Sequence, residues 1–156
     1  MGYNDLKKSW IFPGQASQFV GMGKDLFDNT DIGKKYYNLA NDILEVDIQD
    51  ISFNGPEEKL KITKYTQPAI FIVSSVISHL LTENGHVPGC VAGHSLGEYS
   101  ALTAAGGISF ETGLELVKIR SNSMDKAGIT NPGTMAAIIG LNMDSVVKLA
   151  NSIKTN

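Results

Sequence analysis

With 156 residues, 42% of them hydrophobic and 19% charged, the chain has the balance of a soluble globular domain that buries one core of ordinary size, which excludes extensive disorder. A formal charge of −3, with basic residues scattered into pairs such as Lys7-Lys8 and Lys34-Lys35, argues against a nucleic-acid or membrane surface. The single cysteine, Cys90, excludes an internal disulfide, and its apolar neighbours give it the place of a small buried hydrophobe in a reducing, cytoplasmic setting.

The N-terminus, with Asn4, Asp5, Lys7 and Lys8, has no signal-peptide core, and the longest apolar stretch is interrupted by serines and His79. Ser9-Trp10-Ile11-Phe12 reads as a buried strand that ends at Pro13-Gly14 and enters a Gly-containing loop up to Gly23. From Asp31, the expected N-cap, Ile32, Tyr36, Leu39, Ala40, Ile43 and Leu44 recur at helical spacing to about Val46. After a polar segment around Asn54-Gly55-Pro56, Thr66 and Pro68 are expected to open a second helix that runs to Asn84-Gly85. Apolar residues cover most of the circumference of its first half, so it should be the central helix.

Pro88-Gly89 introduces Cys90-Val91-Ala92, expected as a parallel strand covered on both faces and ending at Ser95. Leu96 to Gly106 reads as a helix, Ser109 caps another to about Gly128, Thr134 to Ile139 reads as a strand, and Asn142 caps a last helix to about Ile153. This alternation predicts the α/β class with a mostly parallel sheet. Turn residues between Gly128 and Gly133 mark a boundary, dividing the chain into 1–128 and 129–156. The second piece is too small to bury its own apolar faces and must dock on the rest, on another chain or on further sequence.

Gly93-His94-Ser95-Leu96-Gly97 is a Gly-x-Ser-x-Gly string between an expected strand and an expected helix. Such a turn is sharp and strained, exposes the serine hydroxyl, and sets it at a helix N-terminus where the Leu96 N–H can stabilise an oxyanion. A structural serine in an ordinary glycine-rich turn is the plainer alternative. Gln15, in the loop after the first strand, is the candidate second donor through its backbone N–H.

Phe12-Pro13-Gly14-Gln15-Ala16-Ser17-Gln18, Thr66-Gln67-Pro68-Ala69 and Gly93-His94-Ser95-Leu96-Gly97-Glu98 together resemble the malonyl-CoA:acyl-carrier-protein transacylase family, over roughly its N-terminal half. The resemblance implies an α/β-hydrolase-like core, with residues 129–156 beginning a small ferredoxin-like subdomain. It implies that Ser95 accepts the acyl group, that the N–H groups of Gln15 and Leu96 form the oxyanion hole, and that Arg120 pairs with the malonyl carboxylate. Gln67 and Met124 become pocket-lining positions, malonyl-CoA and an acyl carrier protein the partners, and Leu96 resembles malonyl-selective members. Where Ala16 stands, family members commonly carry glycine.

Arg120 is singled out independently, since Leu116, Val117 and Met124 share its helix face and a guanidinium among apolar residues needs an anion. An internal ion pair is the alternative to a bound carboxylate. No residue pattern points to a metal or cofactor.

Serine needs a general base, and the three histidines are His79, His86 and His94. His94 adjoins Ser95 but should point to the opposite face; no motif surrounds the other two. In the family the catalytic histidine lies in the C-terminal half, so the chain is expected to be an N-terminal segment, nearly inactive alone, whose complement is a C-terminal half. Two rival readings are an α/β-hydrolase that passes the acyl group to water and a non-catalytic module that binds carrier protein.

Overall fold

Two short parallel strands, β1 (Ser9–Phe12) and β2 (Cys90–Gly93), pair in the register Ser9 to Cys90 through Phe12 to Gly93. In this computed structural model, which describes residues 8–133 and 138–153, they form a two-stranded sheet. Gly89 N–H donates to Lys8 O at 2.8 Å and His94 N–H to Phe12 O at 3.0 Å, carrying the ladder past both ends.

The intervening helices follow as α1 (Lys24–Asn29), α2 (Asp31–Leu44), α3 (Ile48–Asn54), α4 (Glu57–Leu60) and α5 (Thr63–Glu83). After β2 come α6 (Gly97–Ala104), α7 (Phe110–Thr130) and α8 (Met143–Ser152), giving eight helices among the described residues. The chain is therefore mixed α/β with a parallel sheet, as the pattern of apolar runs predicted.

The core lies on the helices. Helix α5 contributes Ala69, Ile70, Phe71, Ile72 and Val76, packed against Tyr37 and Ala40 of α2, Ile48 and Ile51 of α3, and Leu114 and Val117 of α7. Phe110, at the start of α7, stacks on Tyr36 at 3.9 Å and on Phe71 at 5.6 Å, which locks α2, α5 and α7 together. The expectation that α5 is central is met by this packing.

Local chemistry moves several expected boundaries. Thr30, not Asp31, caps α2, its Oγ1 accepting from Gly33 N–H at 3.0 Å. Helix α5 begins at Thr63, so Pro68 lies in its second turn instead of its first. Thr66 does not cap; its hydroxyl bonds back to Leu60 O at 2.5 Å and Ile62 O at 3.2 Å. Ser109 and Asn142 cap α7 and α8 as expected, accepting from Thr112 and Ser145 N–H groups.

Neither β2 nor Cys90 is buried. The residues of β2 alternate between exposed and half-buried, and Cys90 is an exposed thiol whose Sγ lies 3.0 Å from Ser9 Oγ. In a sheet of two strands with its helices gathered around α5, one face of β2 has none of the described residues laid over it. Beside β1, Trp10, Phe12, Phe19, Met22, Val73 and Ile77 line an apolar groove of about 610 Å³.

Most of the strand expected over Thr134 to Ile139 lies outside the described residues; Ile138 and Ile139 are irregular and exposed. Helix α8 contributes no buried residue, and Met143, Val147 and Leu149 stand in solvent.

Candidate active site

The turn from β2 into α6 puts Ser95 at φ 55°, in the left-handed region that a side chain enters only at a cost. Two close approaches explain the neighbouring glycines. A Cβ on Gly97 would stand 2.8 Å from Pro13 O, and one on Gly14 would stand 2.7 Å from His94 Nδ1. The loop after β1 thus lies directly on the serine turn, and only glycine permits the contact.

Ser95 is exposed and Leu96, immediately after it, is fully buried, so Leu96 anchors the turn in the core while the hydroxyl faces outward. Among the described residues, the N–H groups of both Gln15 and Leu96 have no protein acceptor. The Ala16 N–H is instead occupied by Gln18 Oε1 at 2.9 Å. Two free amides on touching segments, beside an exposed hydroxyl, are groups of the kind that can stabilise a negative oxygen.

Ala16 adopts φ 83°, a conformation natural to glycine. Its methyl therefore strains the loop, and Ala16→Gly should raise stability by about 1 kcal/mol, or about 3 °C in thermal midpoint for a chain of this size. A thermal melt reads this directly; an unchanged midpoint would show that alanine sits there without strain.

Arg120, half-buried on α7, reaches the serine. Its Nη2 donates to Ser95 Oγ at 2.9 Å, its Nη1 donates to Gln67 Oε1 at 2.5 Å, and its guanidinium lies 5.9 Å from the centre of the Tyr99 ring. Among the described residues it forms no ion pair with a carboxylate, so the internal-pair alternative finds no support there. Neutral acceptors and a π face leave the positive charge uncompensated, which favours an anion at this point.

Gln67 is fully buried, and its Nε2 contacts Gln15 Oε1 at 3.2 Å and Met124 Sδ at 3.4 Å. Every residue singled out from the sequence, Ser95, Gln15, Leu96, Arg120, Gln67 and Met124, thus belongs to one connected cluster. Leu116 does not: it is 41% exposed, because the buried stripe of α7 runs through Gly113, Val117 and Ser121, and Leu116 falls outside it. Tyr99 escaped the sequence reading. Its signal was positional, in the first turn of the helix that follows Ser95.

Two of the histidines, His79 and His94, contact other groups. His94 packs under Gly14. His79 Nδ1 meets Tyr36 Oη at 3.3 Å and its Nε2 meets Glu83 at 3.2 Å. Burial, then the charges of Glu111 and Glu83, raise the Tyr36 pKa, so the phenol stays protonated. His86 is exposed in the loop beyond α5. Among the described residues none of the three is hydrogen-bonded to Ser95.

Known proteins resemble the chain over most of its length. A malonyl CoA-acyl carrier protein transacylase from Synechocystis is 46% identical over 134 residues, covering 86% of this chain and 44% of that protein. The corresponding Bacillus subtilis protein is 37% identical over 147 residues, 94% of this chain and 46% of its own length. A solved complex of a type II PKS acyl-carrier protein with its malonyl-transacylase superposes with a TM-score of 0.82 at 38% identity, covering 93% of this chain and 47% of that one. The chain spans about half the length of the curated relatives it matches. Residues 9–152 match the acyl transferase domain, and the chain belongs to that family.

Proposed function

We propose that this chain carries the nucleophile, oxyanion hole and carboxylate-binding cation of a malonyl-CoA:acyl-carrier-protein transacylase serving fatty-acid or polyketide synthesis. One observation carries the reading: an arginine without a carboxylate partner among the described residues donates to the hydroxyl of an exposed serine held at positive φ. A fixed cation beside the nucleophile suits an acyl group that ends in a carboxylate, and the transacylases to which the chain is similar favour a thiol over water as the acceptor.

In the proposed reaction, Ser95 Oγ attacks the thioester carbonyl while a histidine takes its proton. The C–S bond breaks, and CoA leaves as the thiol after receiving that proton. The phosphopantetheine thiol of the carrier then gives its proton to the histidine and attacks the acyl-serine; the ester C–O bond breaks and Ser95 Oγ takes that proton, which restores the hydroxyl. Gln15 and Leu96 N–H groups hold the oxyanion in both steps, Arg120 holds the malonyl carboxylate, and Gln67 and Met124 line the acyl pocket.

The base is a histidine outside these 156 residues, a reading supported by the engagement of His79 and His94 away from Ser95. It comes from a complementary C-terminal half, for which the length of the relatives and the apolar groove beside β1 both speak. Residues 1–128 then form the N-terminal part of an α/β-hydrolase-like subdomain. Residues 129–156 begin a ferredoxin-like one, in keeping with the uncovered apolar residues of α8. The setting is cytoplasmic, where an exposed thiol such as Cys90 stays reduced.

The test compares malonyl transfer to carrier protein by this chain alone and by the chain reconstituted with its complement. The isolated chain should be slower by about 10²–10⁴-fold, the usual contribution of a general base. Equal turnover by the isolated chain would overturn the external base. Acyl release to water in preference to the carrier thiol would overturn the transferase in favour of a hydrolase.

A further inference from the structure

Arginine has N–H donors and no acceptor, so Arg120 dictates the direction of every hydrogen bond that leads away from it. Its Nη1 donates to Gln67 Oε1, which turns Gln67 Nε2 toward Gln15 Oε1 at 3.2 Å. That in turn points Gln15 Nε2 at Thr63 Oγ1, again at 3.2 Å. The amide orientations are thus forced by chemistry, and the run ends on the hydroxyl of Thr63, the first residue of α5.

Gln15 is itself exposed, and a free glutamine on a surface loop samples many rotamers. Here both ends of its amide are held by α5, through Thr63 and Gln67, which lie one helical turn apart on a helix whose middle is the core of the molecule. Holding the side chain at two points restricts its Cα, and with it the backbone N–H that stands free beside the serine turn. A donor aimed at developing charge is effective only while it is kept in place.

We propose that Thr63, which lies outside every sequence motif discussed above, is a positioning residue for acyl transfer: it tethers the Gln15 side chain so that the Gln15 N–H faces the reacting carbonyl oxygen. The inference rests on the transacylase reading and adds to it a residue that does not touch the substrate.

The experiment uses the chain reconstituted with its complementary half, with Thr63→Val as a near-isosteric variant lacking the acceptor. Because the oxyanion forms in the transition state, kcat should fall about 5- to 10-fold while KM for malonyl-CoA holds. The loss should be the same for malonyl and acetyl thioesters, since both develop the same oxyanion. Thr63→Ser, which keeps the hydroxyl, should restore the rate. Should the valine variant fail to fold, Gln15→Met cuts the same tether from the loop side and leaves the backbone donor; it should show the same fall in kcat.

A wild-type kcat in Thr63→Val, a change confined to KM, or a serine variant as slow as the valine one would overturn the tether alone. Intact-mass measurement separates that outcome from failure of the underlying reading: no acyl adduct on wild-type Ser95 after exposure to malonyl-CoA removes both.

Discussion

Ser95→Ala should abolish acyl-enzyme formation and lower malonyl transfer by about 10⁴-fold or more, the scale on which covalent catalysis is lost when the nucleophile is removed. The fold should survive the substitution. Ser95 is exposed, and the hydrogen bond it accepts from Arg120 Nη2 lies at the surface, so deleting Oγ opens no cavity and strands no buried donor. Alanine at φ 55° meets the same backbone cost that serine already carries. The turn is held instead by buried Leu96 and by the contact of Gly97 with Pro13, neither of which the substitution touches. Stability should therefore change by less than about 1 kcal/mol. Intact-mass analysis of the reconstituted protein after malonyl-CoA treatment reads the adduct, and transfer to carrier protein reads the rate. An adduct that persists in Ser95→Ala, or transfer within tenfold of the wild type, would remove Ser95 from the chemistry.

How much of this was readable from residues alone follows from the range over which each signal acts. Caps are local, and Ser109 and Asn142 were found because a side-chain oxygen three residues before an N–H is a short-range fact. Helix α5 is legible from its apolar surface, but its first turn is not: Ile62, Thr63 and Lys64 carry no strong start signal, and Thr66 with Pro68 places the expected start three residues too late. The short helices α1, α3 and α4 escaped because six, seven and four residues are too few for an apolar period to emerge. Burial of β2 and Cys90 was misjudged for another reason. The apolar run Cys90-Val91-Ala92 records what a strand is suited to touch, and among the described residues one face of the sheet carries no neighbour.

The site was more legible than the fold around it. Gly-x-Ser-x-Gly specifies backbone geometry, and the strained φ of Ser95 and the close approach at Gly97 are what those residue types anticipate. Arg120 declared itself as a cation on a partly apolar helix face. Thr63 and Tyr99 carry no such mark, because a threonine or tyrosine acquires a role at a site only through tertiary proximity, over separations of 48 residues for Thr63 to Gln15 and 21 for Tyr99 to Arg120.

Removing Arg120 should separate substrate recognition from chemistry. Arg120→Ala is expected to lower kcat/KM for malonyl-CoA about 100-fold, or about 2.7 kcal/mol, while acetyl transfer stays within about threefold. The asymmetry follows from the partners the guanidinium has now. Ser95 Oγ and Gln67 Oε1 are neutral acceptors, so a carboxylate arriving at Nη2 replaces a bond to a neutral oxygen with an ion pair. An acetyl group offers no such exchange. Loss of the guanidinium also leaves the fully buried Gln67 without its donor, which costs about 1–3 kcal/mol of stability, so a lower thermal midpoint accompanies the kinetic change. Arg120→Lys tells the two effects apart. A lysine restores the positive charge as a point without the planar fork, so malonyl transfer should recover in part while the preference over acetyl stays below that of the wild type. Equal losses for malonyl and acetyl thioesters in Arg120→Ala would mean that the arginine serves the serine or the fold and not the carboxylate.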